Sequence, residues 1–173
     1  MSPEVFDFAE AVKQRTTEKI NHRDQELQKA LRSSIQEYNQ NKQTADELGV
    51  VKTLTVAADQ LRAAEFHEVN VAPSLEPYID SGGPTHNYPR LKGSGEYSIV
   101  LSWQQYALNR PHELTTVVCG DKLSVTTTYS YAKDFKRYFR ELDITSFEPD
   151  ELQKTLFEAF VFAEEGPQNK RFS

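Results

Sequence analysis

TTVVCGDKLSVTTTYSY, residues 115–131, has the strongest local pattern in the chain. Its last ten residues alternate larger side chains with Ser and Thr, which predicts a strand with one buried and one wet face. Gly120-Asp121 separates two β-rich runs and is typical of the two-residue turn of a β-hairpin. We therefore predict antiparallel strands over 115–119 and 122–131.

A sheet of three to four strands is expected around this hairpin. Residues 96–103 contain the run Tyr-Ser-Ile-Val-Leu-Ser-Trp, which favours a strand. The segment 134–144 fits two patterns, because Phe135, Phe139 and Leu142 have helical spacing whereas its alternation also fits an edge strand. We favour a strand over 136–144, since it would complete the sheet.

A helix is predicted after the sheet. Pro149 suits the first turn of a helix, and the acidic Asp150 and Glu151 are favourable near a helix N-terminus. An apolar stripe follows at helical spacing, formed by Leu152, Leu156, Phe160 and Ala163. Gly166-Pro167 ends this helix, and 167–173 is expected to be a flexible tail.

The N-terminal region predicts a long amphipathic helix. Residues 4–39 contain no Gly or Pro, and Ser2-Pro3 suits a capped helix start. Between Lys13 and Glu26 the only large apolar residue is Ile20, so this part is expected to be solvated. Apolar or tolerated residues recur at spacings of three, four or seven: Val5, Phe8, Val12, Thr16, Ile20, Leu27, Leu31, Ile35 and Tyr38.

A second helix over 45–66 is expected to fold back on the first as an antiparallel helical hairpin. The polar run 39–43 indicates a break, and Thr44-Ala-Asp-Glu47 fits a capping box. In such a hairpin the start of the first helix extends past the second. Exposed apolar residues there would form a costly patch, so we expect three of them to dock on the C-terminal domain: Phe6, Phe8 and Val12.

These elements predict an α+β fold, with the helical hairpin packed on the small antiparallel sheet. A chain of 173 residues is long enough to bury a core. Its organisation would be a hairpin over 1–68, a Pro/Gly-rich connection over 69–95, and the sheet with its C-terminal helix over 96–166. Connections as long as 69–95 are usually functional or mobile.

Composition limits the classes of function. The formal net charge of −6 argues against a dedicated duplex-DNA binder, which needs many cations, and 11% aromatic residues exclude a wholly disordered chain. The single cysteine, Cys119, permits no intrachain disulfide. With neither a recognisable signal peptide nor a long apolar run, a cytoplasmic protein without membrane contact is expected.

No pattern predicts a catalytic, cofactor or metal site. Cys119 has His67, His86 and His112 available as bases, but it falls beside valines in a predicted strand, where a small buried hydrophobe is expected. The four histidines lack ligand spacing, and the Gly-rich segments complete no nucleotide-binding fingerprint. A non-enzymatic protein without a cofactor is therefore favoured. A small hydrolase or transferase with a site under loop 69–95 is the weakest alternative.

Residues 133–140, Lys-Asp-Phe-Lys-Arg-Tyr-Phe-Arg, form the one basic and aromatic cluster. Single strands of nucleic acid are bound by stacking bases on aromatic rings while cations follow the backbone. This segment therefore predicts an alternative function in binding RNA or another single strand, through Lys136, Arg137, Tyr138 and Arg140. The same pattern also fits an ordinary edge strand whose cations prevent unwanted pairing.

The long helix leads to the favoured hypothesis, a protein–protein interaction or oligomerisation module. A solvated helix tens of ångströms long buries too little within one chain to explain itself. The candidate residues for contact with a protein partner, or with a second copy in a homodimer, are Arg15, Lys19 and Arg23. One form of this hypothesis is an acidic inhibitor or immunity-type protein that caps a basic partner.

Overall fold

The computed structural model describes residues 7–82, 88–105, 110–131 and 134–166. Within these residues the helices are α1 (Phe8–Glu47), α2 (Val50–Ala63) and α3 (Pro149–Glu165). The strands are β1 (His67–Pro73), β2 (Tyr78–Asp80), β3 (Arg90–Lys92), β4 (Tyr97–Gln105), β5 (Arg110–Cys119), β6 (Lys122–Tyr131) and β7 (Asp134–Asp143). A short 3₁₀-helix, Ile144–Ser146, joins β7 to α3. The predicted α+β class is confirmed.

The main sheet has five antiparallel strands in the order β1-β4-β5-β6-β7, so the predicted number of three to four is wrong. The additional strand is β1, which lies mostly inside the segment 69–95 that is expected from sequence to be an irregular connection. Only Val69 and Val71 of β1 pack against the core, and Pro73 ends it, as suits an edge strand. A small sheet of β2 and β3 occupies more of this segment.

The β5–β6 hairpin and the β7 strand are confirmed. Cys119 pairs with Lys122 across the turn, and Gly120 has a φ of 60°, a left-handed conformation that favours glycine. β7 pairs with β6 along its whole length, which resolves the ambiguity over 134–144 in favour of a strand. On its core-facing side β7 adds the buried Leu142 and the half-buried Tyr138 to the core.

α1 is one continuous helix of 40 residues, so the predicted break at 39–43 and the capping box at Thr44 are wrong. The Asn, Gln and Lys residues of 39–43 are polar, but none of them stops a helix. The Thr44 hydroxyl instead donates to the Gln40 carbonyl at 3.0 Å, inside the helix. The chain turns at Gly49, whose φ is 68°, and α2 begins at the next residue.

The core lies between α2, α3 and one face of the main sheet. Its fully buried side chains include Leu54 from α2, Leu152 from α3 and Trp103, Leu114 and Leu123 from the sheet. Each aliphatic side chain of this size contributes about 1.5–3 kcal/mol when buried. The residues that alternate with them on the opposite face of the sheet are half-buried or exposed.

The helices present polar residues to solvent and apolar residues to the core. α3 confirms the predicted C-terminal helix, since Leu152, Leu156 and Ala163 of the expected stripe are buried. Gly166 follows it as the C-cap. In the part of the chain that the structure describes, no helix has the length and apolar character needed to cross a membrane.

Candidate functional site

The first half of α1 projects from the rest of the protein. From Phe8 to Glu26 every residue is exposed except the half-buried Ala11, and burial resumes at Leu27. We refer to the segment Phe8–His22 as the arm. At ~1.5 Å per residue the arm is about 22 Å long. The exposure of residues 13–26 confirms the expectation that this stretch of the helix is solvated.

The arm carries apolar side chains that the sequence predicts to be docked. Phe8 is 72% exposed and Val12 is 47% exposed, so the predicted docking of these residues on the C-terminal domain is wrong. The reason is the continuity of α1, which carries its N-terminal end away from the sheet. Ile20 is also exposed and completes a stripe about 120° wide on one side of the arm, in which the polar Thr16 and Lys19 also lie. Phe6 lies outside the described residues.

Local hydrogen bonds support the arm as a helix. The Asp7 carboxylate caps it by accepting from the backbone N–H groups of Ala9 at 3.0 Å and Glu10 at 3.1 Å. Asp7 itself has an extended conformation, so the helix begins at Phe8 rather than near Ser2, which lies outside the described residues. The cap and the unbroken connection to the rest of α1 keep the arm in one orientation.

The second half of α1 fixes this orientation. Asn41 is buried, and its side-chain N–H group donates to the Gly95 carbonyl at 2.7 Å while its oxygen accepts from the Gly120 N–H at 3.0 Å. The Tyr38 hydroxyl donates to the Ser74 carbonyl at 2.6 Å. Because these bonds reach three separate loops, α1 is attached firmly to the body of the protein.

The three cations predicted to contact a partner are all exposed. Arg15 and Lys19 lie within the arm. Arg23 directly follows the arm, and its guanidinium carbon lies 4.7 Å from the centroid of the Tyr88 ring, a cation–π contact. Two of these cations thus lie on the exposed arm, and the third contacts Tyr88 where the arm meets the body of the protein.

The basic residues predicted to bind a single strand do not form one surface. Successive residues of β7 point to opposite faces of the sheet, and Leu142 marks the face that packs against the core. Lys136, Tyr138 and Arg140 lie on the same side as Leu142. Arg137 lies on the opposite side, so strand alternation divides the predicted set.

Arg140 and Tyr138 are held by carboxylates of α3. Glu158 accepts from Arg140 at 3.0 Å and from the Tyr138 hydroxyl at 3.2 Å, and Glu151 lies 3.4 Å from Arg140. Burial and the Glu158 carboxylate raise the pKa of Tyr138 above its usual value. For Arg140, burial is the largest single effect and lowers the pKa, but Glu158, Tyr138 and Glu151 together outweigh it and the pKa is raised. Both side chains therefore keep their protons and hold α3 to the sheet.

The other face of β7 gathers a different group of residues. Phe135 and Phe139 are exposed there, with the exposed Arg137 between them. Glu141 on the same face forms an ion pair with Lys122 at 3.6 Å. Neither phenylalanine is among the residues predicted for binding. Strand alternation over 135–139 could have shown that both lie on the opposite face from Lys136, Tyr138 and Arg140.

An apolar groove of about 310 Å³ lies between α2 and α3. Leu101 and Leu114 of the sheet contribute to its floor, and Leu61 of α2 contributes to one wall. The exposed Val56 of α2 and Phe157 of α3 lie at its rim. We refer to it as the α2–α3 groove. The sequence does not indicate it, because its residues come from helices and strands that are far apart in the chain.

A polar cleft of about 540 Å³ lies between α1 and the turns at 94–96 and 119–120. It contains Cys119, which is exposed beside the hairpin turn, so the expectation of a buried cysteine is wrong. No histidine is among the residues that line this cleft in the described part of the chain. His112 lies elsewhere, stacked on Trp103, and His86 lies outside the described residues. Among the described residues, the cleft therefore does not pair Cys119 with a histidine.

A buried polar cluster near the end of the core is not predicted from sequence. The Trp103 indole N–H donates to Glu164 at 2.7 Å, and the same carboxylate oxygen lies 3.6 Å from Nε2 of His112. The indole and imidazole rings stack with their centroids 5.6 Å apart. Because Trp103 is fully buried, Glu164 satisfies a donor that would otherwise be desolvated without a partner.

Among the residues that the structure describes, no group of three or more His, Cys, Asp or Glu side chains is arranged to hold a metal ion. Comparison of the chain with protein-family models, with curated proteins and with solved structures finds no significant match. The arm, the outer face of β7 and the α2–α3 groove are the candidate binding surfaces in the described part of the chain.

Proposed function

We propose that this protein is a non-enzymatic protein–protein interaction module and that the arm is its binding element. The observation that carries this proposal is the exposure of Phe8, Val12 and Ile20 along one side of a helix that leaves the body of the protein. Amphipathic helices with anchors at such spacing bind in apolar grooves of partner proteins. Association removes this stripe from water and is therefore favourable.

The arm is ready to bind without a folding step. Isolated helices of this length are marginal in water, but the arm continues a longer helix that is already attached through Tyr38 and Asn41. Binding then requires little ordering of the backbone, so less of the interaction energy is lost to conformational entropy.

The charge of the arm supports an acidic binding surface on the partner. The arm has three cations, one of which is Lys13, against the two carboxylates of Glu10 and Glu18, so its net charge is +1. This local charge is opposite in sign to that of the whole chain. It favours an acidic partner surface over the basic partner that an acidic inhibitor or immunity-type protein would cap.

The proposal is tested by quantitative capture from a lysate of the source cells with the full-length chain as bait. The arm variant is Phe8→Ser/Val12→Ser, and the matched control is Leu75→Ser, which changes a side chain that is 78% exposed in another part of the protein. We expect that wild type and the control capture at least one protein that the arm variant does not capture. The captured protein can be another copy of this chain. Equal capture of every protein by all three would contradict the proposal.

A second candidate function is the binding of single-stranded nucleic acid on the outer face of β7. What supports it is the exposed pair Phe135 and Phe139 with Arg137 between them, since aromatic rings stack bases and Arg contacts the backbone. The carboxylates of Glu113 and Glu141, also exposed on that face, oppose it. Fluorescence anisotropy with a labelled oligouridine tests it. Binding should weaken with salt and be lost in Phe135→Ser/Phe139→Ser, and no binding at low salt would reject it.

A further inference from the structure

Among the residues that the structure describes, none covers the apolar α2–α3 groove on the body of the protein. Phe157 of α3 and Val56 of α2 line this groove and are 66% and 44% exposed. The floor consists of leucines from the sheet. In the described part of the chain, the apolar side chains of the arm lie in no groove, and no helix lies in the α2–α3 groove.

The arm cannot reach the groove of its own chain. α2 has 14 residues and is about 21 Å long. Even if α2 ran straight back along α1, it would end beside Ser33. Phe8 lies 25 residues further along an unbroken helix, about 37 Å away at ~1.5 Å per residue. Any arm in this groove must belong to another molecule.

The apolar part of the arm and the groove match in length. From Phe8 to Ile20 the stripe covers about 18 Å of helix at ~1.5 Å per residue. The α2 wall of the groove extends from Thr53 to Ala64, about 16 Å by the same measure. Phe8 and Val12, one turn apart, can therefore both lie within the groove while the rest of the arm follows its rim.

The charges of the arm and of α3 are complementary. Between Val12 and His22 the arm has three cations and one carboxylate, Glu18. α3 has five carboxylates and a single cation, Lys154. Arg140 pairs with Glu151 and Glu158, and α3 remains net acidic after this pairing. A helix seated along α3 thus brings Arg15 and Lys19 close to a helix of negative net charge, which favours this occupant over an acidic one.

We propose that the arm of a second copy of this chain occupies the α2–α3 groove, with Phe8 and Val12 as its anchors. This inference depends on the proposed function and names the partner of the same arm. Mutual exchange of arms gives a closed dimer, and one-way insertion gives an open series of copies. In both arrangements the contact between arm and groove is the same.

Sedimentation velocity of the full-length protein, from low to high micromolar concentration, tests this inference. Wild type and the Leu75→Ser control should associate. The arm variant is Phe8→Ser/Val12→Ser, and the groove variant is Val56→Ser/Phe157→Ser. Each should associate at least about tenfold more weakly than wild type. Both variants change exposed side chains, and circular dichroism establishes that they remain folded.

Mixing the two variants separates loss of the contact from loss of the fold. The arm variant has an intact groove and the groove variant has an intact arm, so an equal mixture should form a hetero-complex although each alone is monomeric. No complex in the mixture would overturn the inference. The inference would also be overturned if the groove variant self-associates as strongly as wild type while the arm variant does not. That result would leave the proposed function standing.

A wild-type protein that remains monomeric at high micromolar concentration would overturn the inference as well. If its arm nevertheless captures another protein from the lysate, the proposed function stands. If arm-dependent capture is also absent, both fail. An apolar small molecule that copurifies with the monomer, detected by native mass spectrometry, would identify a different occupant of the groove and contradict the inference.

Discussion

Arg140 of β7 lies 3.0 Å from the carboxylate of Glu158 in α3. The Tyr138 hydroxyl contacts the same carboxylate, and Glu151 lies on the other side of the guanidinium. The edge strand β7, which is basic and aromatic in sequence, is thus bonded to the last helix, α3. Two of the four residues predicted for binding a single strand have this role in the fold.

We expect Arg140→Ala and Glu158→Ala to be coupled. Both side chains are partly exposed, so each change should lower the free energy of unfolding by about 0.5–1 kcal/mol, and the double variant should lose less than the sum. The coupling should decrease with salt because the charges are screened. Urea unfolding followed by Trp103 fluorescence measures it, with Arg137→Ala on the opposite face as the control. A coupling of zero at low salt would contradict this assignment.

Asn41 should be one of the most sensitive positions of α1. Asn41→Ala removes the bonds to Gly95 and Gly120 and leaves both backbone groups without this partner, so we expect a loss of about 2–3 kcal/mol. Asn41→Asp keeps an acceptor for Gly120 but no donor for Gly95. The two variants, with exposed Asn39→Ala as the control, can be compared by chemical unfolding. An effect of Asn41→Ala no larger than that of the control would disprove the anchoring role.

Trp103→Phe should destabilise the protein through the lost indole N–H and through the space that the smaller phenyl ring leaves in a fully buried site. Glu164 then lacks its 2.7 Å donor in a partly buried site, and we expect a loss of at least about 1–3 kcal/mol. In Glu164→Gln the side-chain oxygen can still accept from Trp103, so this variant should be closer to wild type. Thermal unfolding by circular dichroism compares them. Equal stability of Trp103→Phe and wild type would show that the bond contributes nothing.

Alkaline pH should destabilise the protein in part through Tyr97. Burial, together with Tyr38 and Asp46, raises the pKa of Tyr97 above its ordinary value. Its contribution is therefore complete below about pH 10, where the phenol is protonated in both states, and is lost as the pH rises towards the folded pKa. Tyr97→Phe should reduce the decline of the unfolding free energy above about pH 10. An unchanged slope between wild type and variant would contradict this.

The parts of the fold that could be predicted are those with strong local periodicity. The alternation of 122–131 and the Gly120-Asp121 turn identify the hairpin, and the stripe from Leu152 identifies α3. The strand β1 could not be found because it has two core residues and ends at a proline. The break at 39–43 was wrong because polarity does not stop a helix, whereas the left-handed Gly49 does.

The candidate site could be predicted only in part. A shortage of apolar residues between Lys13 and Glu26 indicates a solvated segment, and this is confirmed. Whether Phe8 and Val12 are buried depends on the direction in which α1 leaves the body, and that direction is set by contacts such as those of Asn41. The α2–α3 groove combines residues from four separate elements, so no window of sequence contains it.

Whether the arm of one copy occupies the groove of another can be measured by hydrogen exchange as a function of protein concentration. If the arm of one copy lies in the α2–α3 groove of another, amides of the arm should exchange rapidly in dilute protein and slowly in concentrated protein. Peptides from the two walls of the groove, 53–64 and 153–160, should become protected over the same concentration range. Exchange rates in the arm and the groove that do not change from low to high micromolar concentration would contradict the claim.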